Sequence, residues 1–227
     1  MSLRGHLFAL AVALACVAGQ PAAAAAAPTA SAFSIPLFAP RHRLPPPALV
    51  FDYHGWHVDA SKAARAQAPQ KTIKAIRTQI DIVEHAGLKP QVLAAMRTHP
   101  ILADPSVGTE AGRYSAARLI LLRVRRLDAK KPILLHALLL AWQDQNLPGG
   151  FANPEIAQFR REILARRIWP KNAIMLQSDG EFFAVTASCY LYGAITREPY
   201  TRADLRKTQP VYYQWLAKLF DDGRARR

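Results

Sequence analysis

Cysteine is nearly missing from this sequence: of 227 residues only Cys16 and Cys189 carry a thiol. That scarcity excludes a disulfide framework as the source of stability, since small disulfide-held domains need several paired cysteines. Acidic residues are also scarce, 16 Asp plus Glu against 30 Lys plus Arg, for a formal charge of +14. So basic a chain favours anionic neighbours such as nucleic acid, lipid head groups or wall polymers. Its basic clusters are Arg123, Arg125, Arg126, Lys130 and Lys131, and then Arg160, Arg161, Arg166, Arg167 and Lys171. No nucleic-acid motif accompanies them, and Trp169 is the one aromatic residue inside either cluster, so nucleic acid is not an expected partner and each cluster reads first as a solvated face.

A membrane-spanning run is lacking as well. Leu7 to Gly19 is apolar and uncharged but is broken by Gly19, Gln20 and Pro21, short of the ~20 residues a spanning helix needs. Arg4 and His6 precede it, and small residues from Ala22 to Ala27 follow. Basic start, apolar middle and small-residue end, in that order, predict a cleaved secretory signal peptide over residues 1–26. Pro28 disfavours a cut after Ala27, which puts cleavage within Ala24 to Ala26. The expected location is periplasmic or secreted; the alternative is a lipid anchor on Cys16, which ends a short apolar run. Cleavage leaves Cys189 as the lone thiol.

From Pro28 to about Pro47 the chain is rich in Pro, Ala and Ser, with a basic knot at Arg41, His42 and Arg43. Residues 27–47 therefore read as a linker or arm, and 48–227 as one domain, expected to be a monomer. Leu49 to Val58 has strand composition. Ile73, Ile76, Ile80 and Val83 recur at helical spacing between Pro69 and Gly87. Lys89 to Met96 predicts a short helix, Pro100 to Leu102 a short strand, and the near-continuous apolar stretch within Arg118 to Arg125 another strand. Pro132 to Gln145 predicts a helix that is apolar on almost every side, hence interior. Pro148, Gly149 and Gly150 end it. Asn153 then caps a helix opened by Pro154, Ser178 or Asp179 caps another reaching Tyr192, and Gln209 to Phe220 forms the last, after a short turn at Thr201. The fold class expected is α+β, mainly α, with a small sheet in the N-terminal half.

The interior helix carries one histidine, His136, followed by Ala137 and, at i+4, by Leu140. Two histidines at i and i+4 share a helix face and can hold zinc, with a glutamate after the first as general base. Here only the first histidine is present. Some forty-five residues on, Glu181-Phe182-Phe183-Ala184-Val185-Thr186-Ala187 opens a second helix. This segment resembles the third-ligand helix of gluzincin-type (zincin) metallopeptidases, in particular catalytic domains similar to anthrax lethal factor. The order strand, histidine helix, Pro-Gly-Gly break, connecting helix and glutamate helix is similar to that family over roughly Arg118 to Gly193.

The resemblance implies a zincin-like domain. It makes His136 the first metal ligand and Glu181 the third, puts Leu140 in place of the second histidine and Ala137 in place of the general base, and offers Tyr190 and Tyr192 as remnants of an oxyanion-stabilising tyrosine. Two ligands instead of three weaken zinc binding steeply, and no base stands ready to deprotonate water. The implied protein is non-hydrolytic, without a cofactor, and binds a peptide or an anionic envelope component. Two alternatives stay open: an active peptidase with a rearranged ligand set, weakly holding zinc, with Gln143 at i+7 as a poor substitute ligand; and a basic envelope-binding protein acting through surface charge. Other readings of the same residues are plainer. His136 and Glu181 can simply pair, His54-Gly55-Trp56-His57 reads as an edge segment near the surface, His99 is unremarkable, and Cys189 has the spacing of a buried helix residue.

Overall fold

His54 and Gly55 both take positive φ, 51° and 79°, the conformation that a two-residue hairpin turn with the sheet's own twist requires. The stretch Leu49 to Val58, expected as one strand, is therefore two: β1 (Val50–Tyr53) and β2 (Trp56–Asp59), antiparallel, with Tyr53 opposite Trp56. Strand-forming residues flank the turn on both sides, so composition alone gave no break. The computed structural model describes residues 49–65, 68–106 and 110–221. The expected signal peptide, Cys16 and the arm over 27–47 lie outside the described residues.

Three further strands complete one sheet: β3 (Ile101–Ala103), β4 (Gly112–Tyr114) and β5 (Ile120–Leu122), in the order β1-β2-β3-β5-β4. β3 runs parallel to both β2 and β5, whereas β4 is antiparallel to β5 and forms the edge. The strand expected over Arg118 to Arg125 is thus shorter, and Val124–Arg126 turn away as one turn of 3-10 helix. β4 could not be foreseen, because Gly-Arg-Tyr has no apolar alternation. Its glycine has a packing reason: a β-carbon at Gly112 would lie 2.8 Å from Ile133 Cγ2 and 3.3 Å from the Ile133 carbonyl oxygen.

The described residues form seven α-helices: α1 (Pro69–Glu84), α2 (Pro90–Arg97), α3 (Ile133–Asn146), α4 (Pro154–Arg166), α5 (Asp179–Tyr192), α6 (Arg202–Thr208) and α7 (Pro210–Phe220). Four of them open on proline, whose missing N–H costs nothing in the first turn. Asn153 accepts a bond from the Ile156 amide at 3.0 Å, Ser178 from that of Glu181 at 3.0 Å, and Thr201 from that of Asp204 at 3.1 Å. Each cap satisfies an orphan donor. The fold is α+β and mainly helical, with a small sheet, as the sequence led us to expect. Among the described residues no helix is long and apolar enough to cross a membrane.

α3 and α5 are the centre of the core. Leu134, Leu135, Leu138 and Leu139 on one, and Phe182, Phe183, Val185 and Leu191 on the other, are buried. Trp142 stacks on Phe183 with ring centroids 6.1 Å apart, and Phe220 of α7 closes over both. On the other side of the molecule Glu84 of α1 accepts from Trp56 Nε1 of β2 at 2.6 Å and from Arg97 Nη2 of α2 at 2.5 Å. One half-buried carboxylate thus ties three elements.

A buried amide sets where α3 begins. Gln79 of α1 donates from Nε2 to the carbonyl oxygens of Asp128 and Lys131, at 2.8 and 2.9 Å, and accepts at Oε1 from the Leu134 amide at 3.1 Å. The loop before α3 and an orphan donor of its first turn are thereby satisfied by one side chain. Gln79→Glu keeps the shape but turns an acceptor towards two carbonyl oxygens. The expected result is a loss of about 2 kcal/mol or more in denaturant unfolding, on the scale of a buried polar group left unsatisfied. A loss within about 0.5 kcal/mol, the range of ordinary surface changes, would contradict the role given to this amide.

Candidate active-site remnant

His136 lies in the first turn of α3, one turn before Leu140 on the same face. Glu181 lies in the first turn of α5, its amide held by Ser178, at the positive end of the helix where a carboxylate is favoured. The two helices pack so that these faces meet across a cleft of about 790 Å³. His136, Leu140 and Glu181 all line it, and Val185 and Ser188 continue the α5 wall at i+4 and i+7. Gly112 and Arg113 of the β4 edge form the opposite rim.

His136 Nε2 stands 3.6 Å from Glu181 Oε2, with side chains 23% and 30% exposed. That separation is longer than an ordinary hydrogen bond. The imidazole, as donor towards the carboxylate and then through its charge, holds the Glu181 carboxyl below the usual range; Arg197 adds to this and partial burial opposes it. Leu140 packs on the start of α5: a β-carbon on Gly180, the neighbour of Glu181, would lie 3.5 Å from Leu140 Cδ2. The position one turn beyond His136 on α3 is thus filled by a branched alkyl group.

Other sequence candidates lie elsewhere. Ala137 is fully buried and is not among the cleft-lining residues. Gln143 is also fully buried, and its Nε2 donates to the Gly150 carbonyl at 3.4 Å, which bonds it to the helix-ending turn and not to the cleft. Tyr190 and Tyr192, offered by the resemblance, are not among the cleft-lining residues. Tyr190 falls half a turn off the Glu181 face and donates to Asp221 Oδ2 at 2.5 Å. Tyr192 is three turns along, where its hydroxyl donates to the Lys130 carbonyl at 3.3 Å. His57 pairs with Asp52 at 3.0 Å and His54 stands 3.8 Å from Asp81. His99 is buried near the Arg118 carbonyl. Burial pushes the Cys189 thiol up to about 12, which removes it as a nucleophile at ordinary pH. Among the described residues no group of three His, Cys, Asp or Glu converges as a metal site would require.

Sequence reasoning missed Ser188, Arg113 and Arg197. Ser188 shares the Glu181 face at i+7 and was open to the same helical arithmetic; nothing local marks the two arginines, which tertiary packing brings in.

No protein-family model matches the chain, and no curated protein matches it. Among solved structures the Pro-Pro endopeptidase PPEP-2 from Paenibacillus alvei is similar to it, with 18% identity over 66% of this chain and 92% of that one and a TM-score of 0.48.

Glu181 gives the pair a pH signature. Its carboxyl is held down in the folded state, so its stabilising contribution is present above the unfolded value and is lost as pH falls through the folded one. Glu181→Gln should therefore melt below the parent near neutral pH, and the gap should close below about pH 4, where glutamate ordinarily titrates. Thermal melts of both proteins across that range test this. A gap that stays constant with pH would mean that the carboxylate charge plays no part.

Proposed function

We propose that this chain is an exported, zincin-like protein that has lost hydrolysis and uses the former substrate cleft to bind an extended peptide. The observation that carries the reading is Leu140, seated in the cleft beside His136 and against the first turn of α5. Two zinc ligands at ~2.0–2.2 Å in a tetrahedron stand roughly 3.3 Å apart. The 3.6 Å between His136 Nε2 and Glu181 Oε2 is near that spacing. Spacing therefore suits a metal, but number does not: two donors and an alkyl group stand where a catalytic centre needs three donors and a water. The residues do not fit a catalytic zinc. A general base is missing too, because Ala137 offers only a buried methyl.

What stays usable is the cleft and its edge strand. The pairing of β4 with β5, with the Arg123 amide on the Ala111 carbonyl and the Ser115 amide on that of Leu119, alternates so that the backbone groups of Gly112 and Tyr114 turn away from β5. Gly112 lines the cleft. An extended peptide can add there as a further strand, with main-chain bonds giving affinity and cleft contacts giving selectivity. Export rests on the order of residue types in 1–26, and one folded domain beyond the arm completes the proposal.

Two measurements on the purified protein test this. After dialysis against zinc and then buffer it should keep far less than one metal per chain, and it should leave a peptide library intact. Extended peptides should bind, and methylating alternate backbone nitrogens should weaken them by about tenfold or more, the value of a lost main-chain bond or two. One zinc per chain, or cleavage stopped by a chelator, would overturn the non-hydrolytic reading; indifference to N-methylation would overturn strand addition.

A further inference from the structure

We propose that the cleft selects an acidic peptide. This rests on the peptide-binding reading above and adds the chemistry of the ligand. Five cationic side chains line the cleft, Arg113, Arg126, Lys130, Lys131 and Arg197, against two carboxylates, Glu110 and Glu181. They come from four places in the chain: β4, the 3-10 turn after β5, the loop before α3 and the loop after α5. Of these five, only Lys131 has a carboxylate of a described residue within 4 Å, Asp128 at 3.7 Å. Glu181 is already matched by His136. The lining thus carries more cations than carboxylates, in a concave site whose low-dielectric walls focus the field on an incoming anion. The remaining basic run on α4, with Arg161 and Arg166, lies outside this lining.

A second observation is independent of charge. Ser188 is 3% exposed and lines the cleft, and among the described residues its Oγ has no hydrogen-bond partner. A buried hydroxyl without a partner costs about 1–3 kcal/mol. Such a group is retained at lower cost when a ligand oxygen completes it. A carboxylate or carbonyl of a bound peptide supplies that acceptor.

The edge of β4 favours a peptide over a featureless polyanion. Residues two apart on an extended chain lie about 6.5–7 Å from one another and face the same way. Acidic side chains at alternate positions would meet Lys130, Lys131 and Arg126 along one rim while the backbone pairs with Gly112. A phosphate polymer has no N–H to give that strand.

The test is fluorescence anisotropy on the intact chain with three probes: an octapeptide alternating alanine with aspartate and glutamate, its asparagine and glutamine counterpart, and an inorganic polyphosphate of similar charge. The acidic peptide should bind about tenfold or more tightly than the neutral one in low salt, and the preference should shrink as salt screens the rim. Lys130→Ala and Arg197→Ala should each weaken the acidic peptide by about three- to tenfold, more than they weaken the neutral one. Lys74→Ala, exposed on α1 outside the cleft, should alter neither. Ser188→Ala should weaken binding without lowering the melting temperature, a combination that a merely structural serine would not give. Equal affinity for both peptides would overturn acidic selectivity while leaving the peptide cleft standing. Binding of neither peptide would remove both readings. Polyphosphate that binds as tightly as the acidic peptide, and is weakened by Lys74→Ala as much as by Lys130→Ala, would replace the proposal with association through overall charge.

Discussion

Three hydrogen bonds from the Gln79 side chain decide where the loop before α3 lies and where that helix starts. α3 is apolar on nearly every side, so packing holds it in place but says little about its register or its first turn. A directional contact is needed for that, and a buried amide with all its partners in place supplies it at small net cost. Lys130, Lys131, Ile133 and His136, all cleft-lining, follow from this one anchor. The Tyr192 hydroxyl on the Lys130 carbonyl fastens the same loop from α5.

From that placement the site's chemistry follows. The faces of α3 and α5 meet with a histidine and a carboxylate within ion-pair reach, and between the two helices stands Leu140. An ion pair of this kind is retained easily because each partner relieves the burial of the other. Leu140 fills the space beside the pair. In the function proposed above, this arrangement binds charge and shape without activating water, the cations lining the cleft favour an anion, and the edge of β4 takes an extended backbone.

Much of the helical part was legible. Proline openings, Asn153 and Ser178 caps and 3.6-residue periodicity placed α1 to α5 and α7 within a residue or two, because those signals are local. The sheet was less so. The turn at His54 and Gly55 depends on backbone conformation that composition did not disclose, and β4 is a strand only because Gly112 fits against Ile133. In the site, His136 and Leu140 were marked by their i, i+4 spacing and Glu181 by the resemblance of its segment to a ligand helix, and all three line one cleft. Tyr190 and Tyr192 were chosen on residue type alone, and helix phase and length carry them away. Arg113 and Arg197 are remote in sequence from the helix pair, so no local pattern could announce them.

In the function proposed above, His136 and Glu181 converge as two corners of a former zinc site whose third corner is Leu140. Isothermal titration of zinc into Leu140→His tests it most directly. The substitution leaves a polar group in a half-buried place, so the metal-free variant should lose roughly 1–3 kcal/mol of stability, and circular dichroism shows whether it is folded. The account predicts one zinc bound per chain with a rise in melting temperature, about 2.7 kcal/mol of added stability at a hundredfold excess over the dissociation constant, and no such effect in the parent. A folded Leu140→His variant with no more affinity for zinc than the parent would contradict it, because the side chains of His136 and Glu181 would then not point at a common centre.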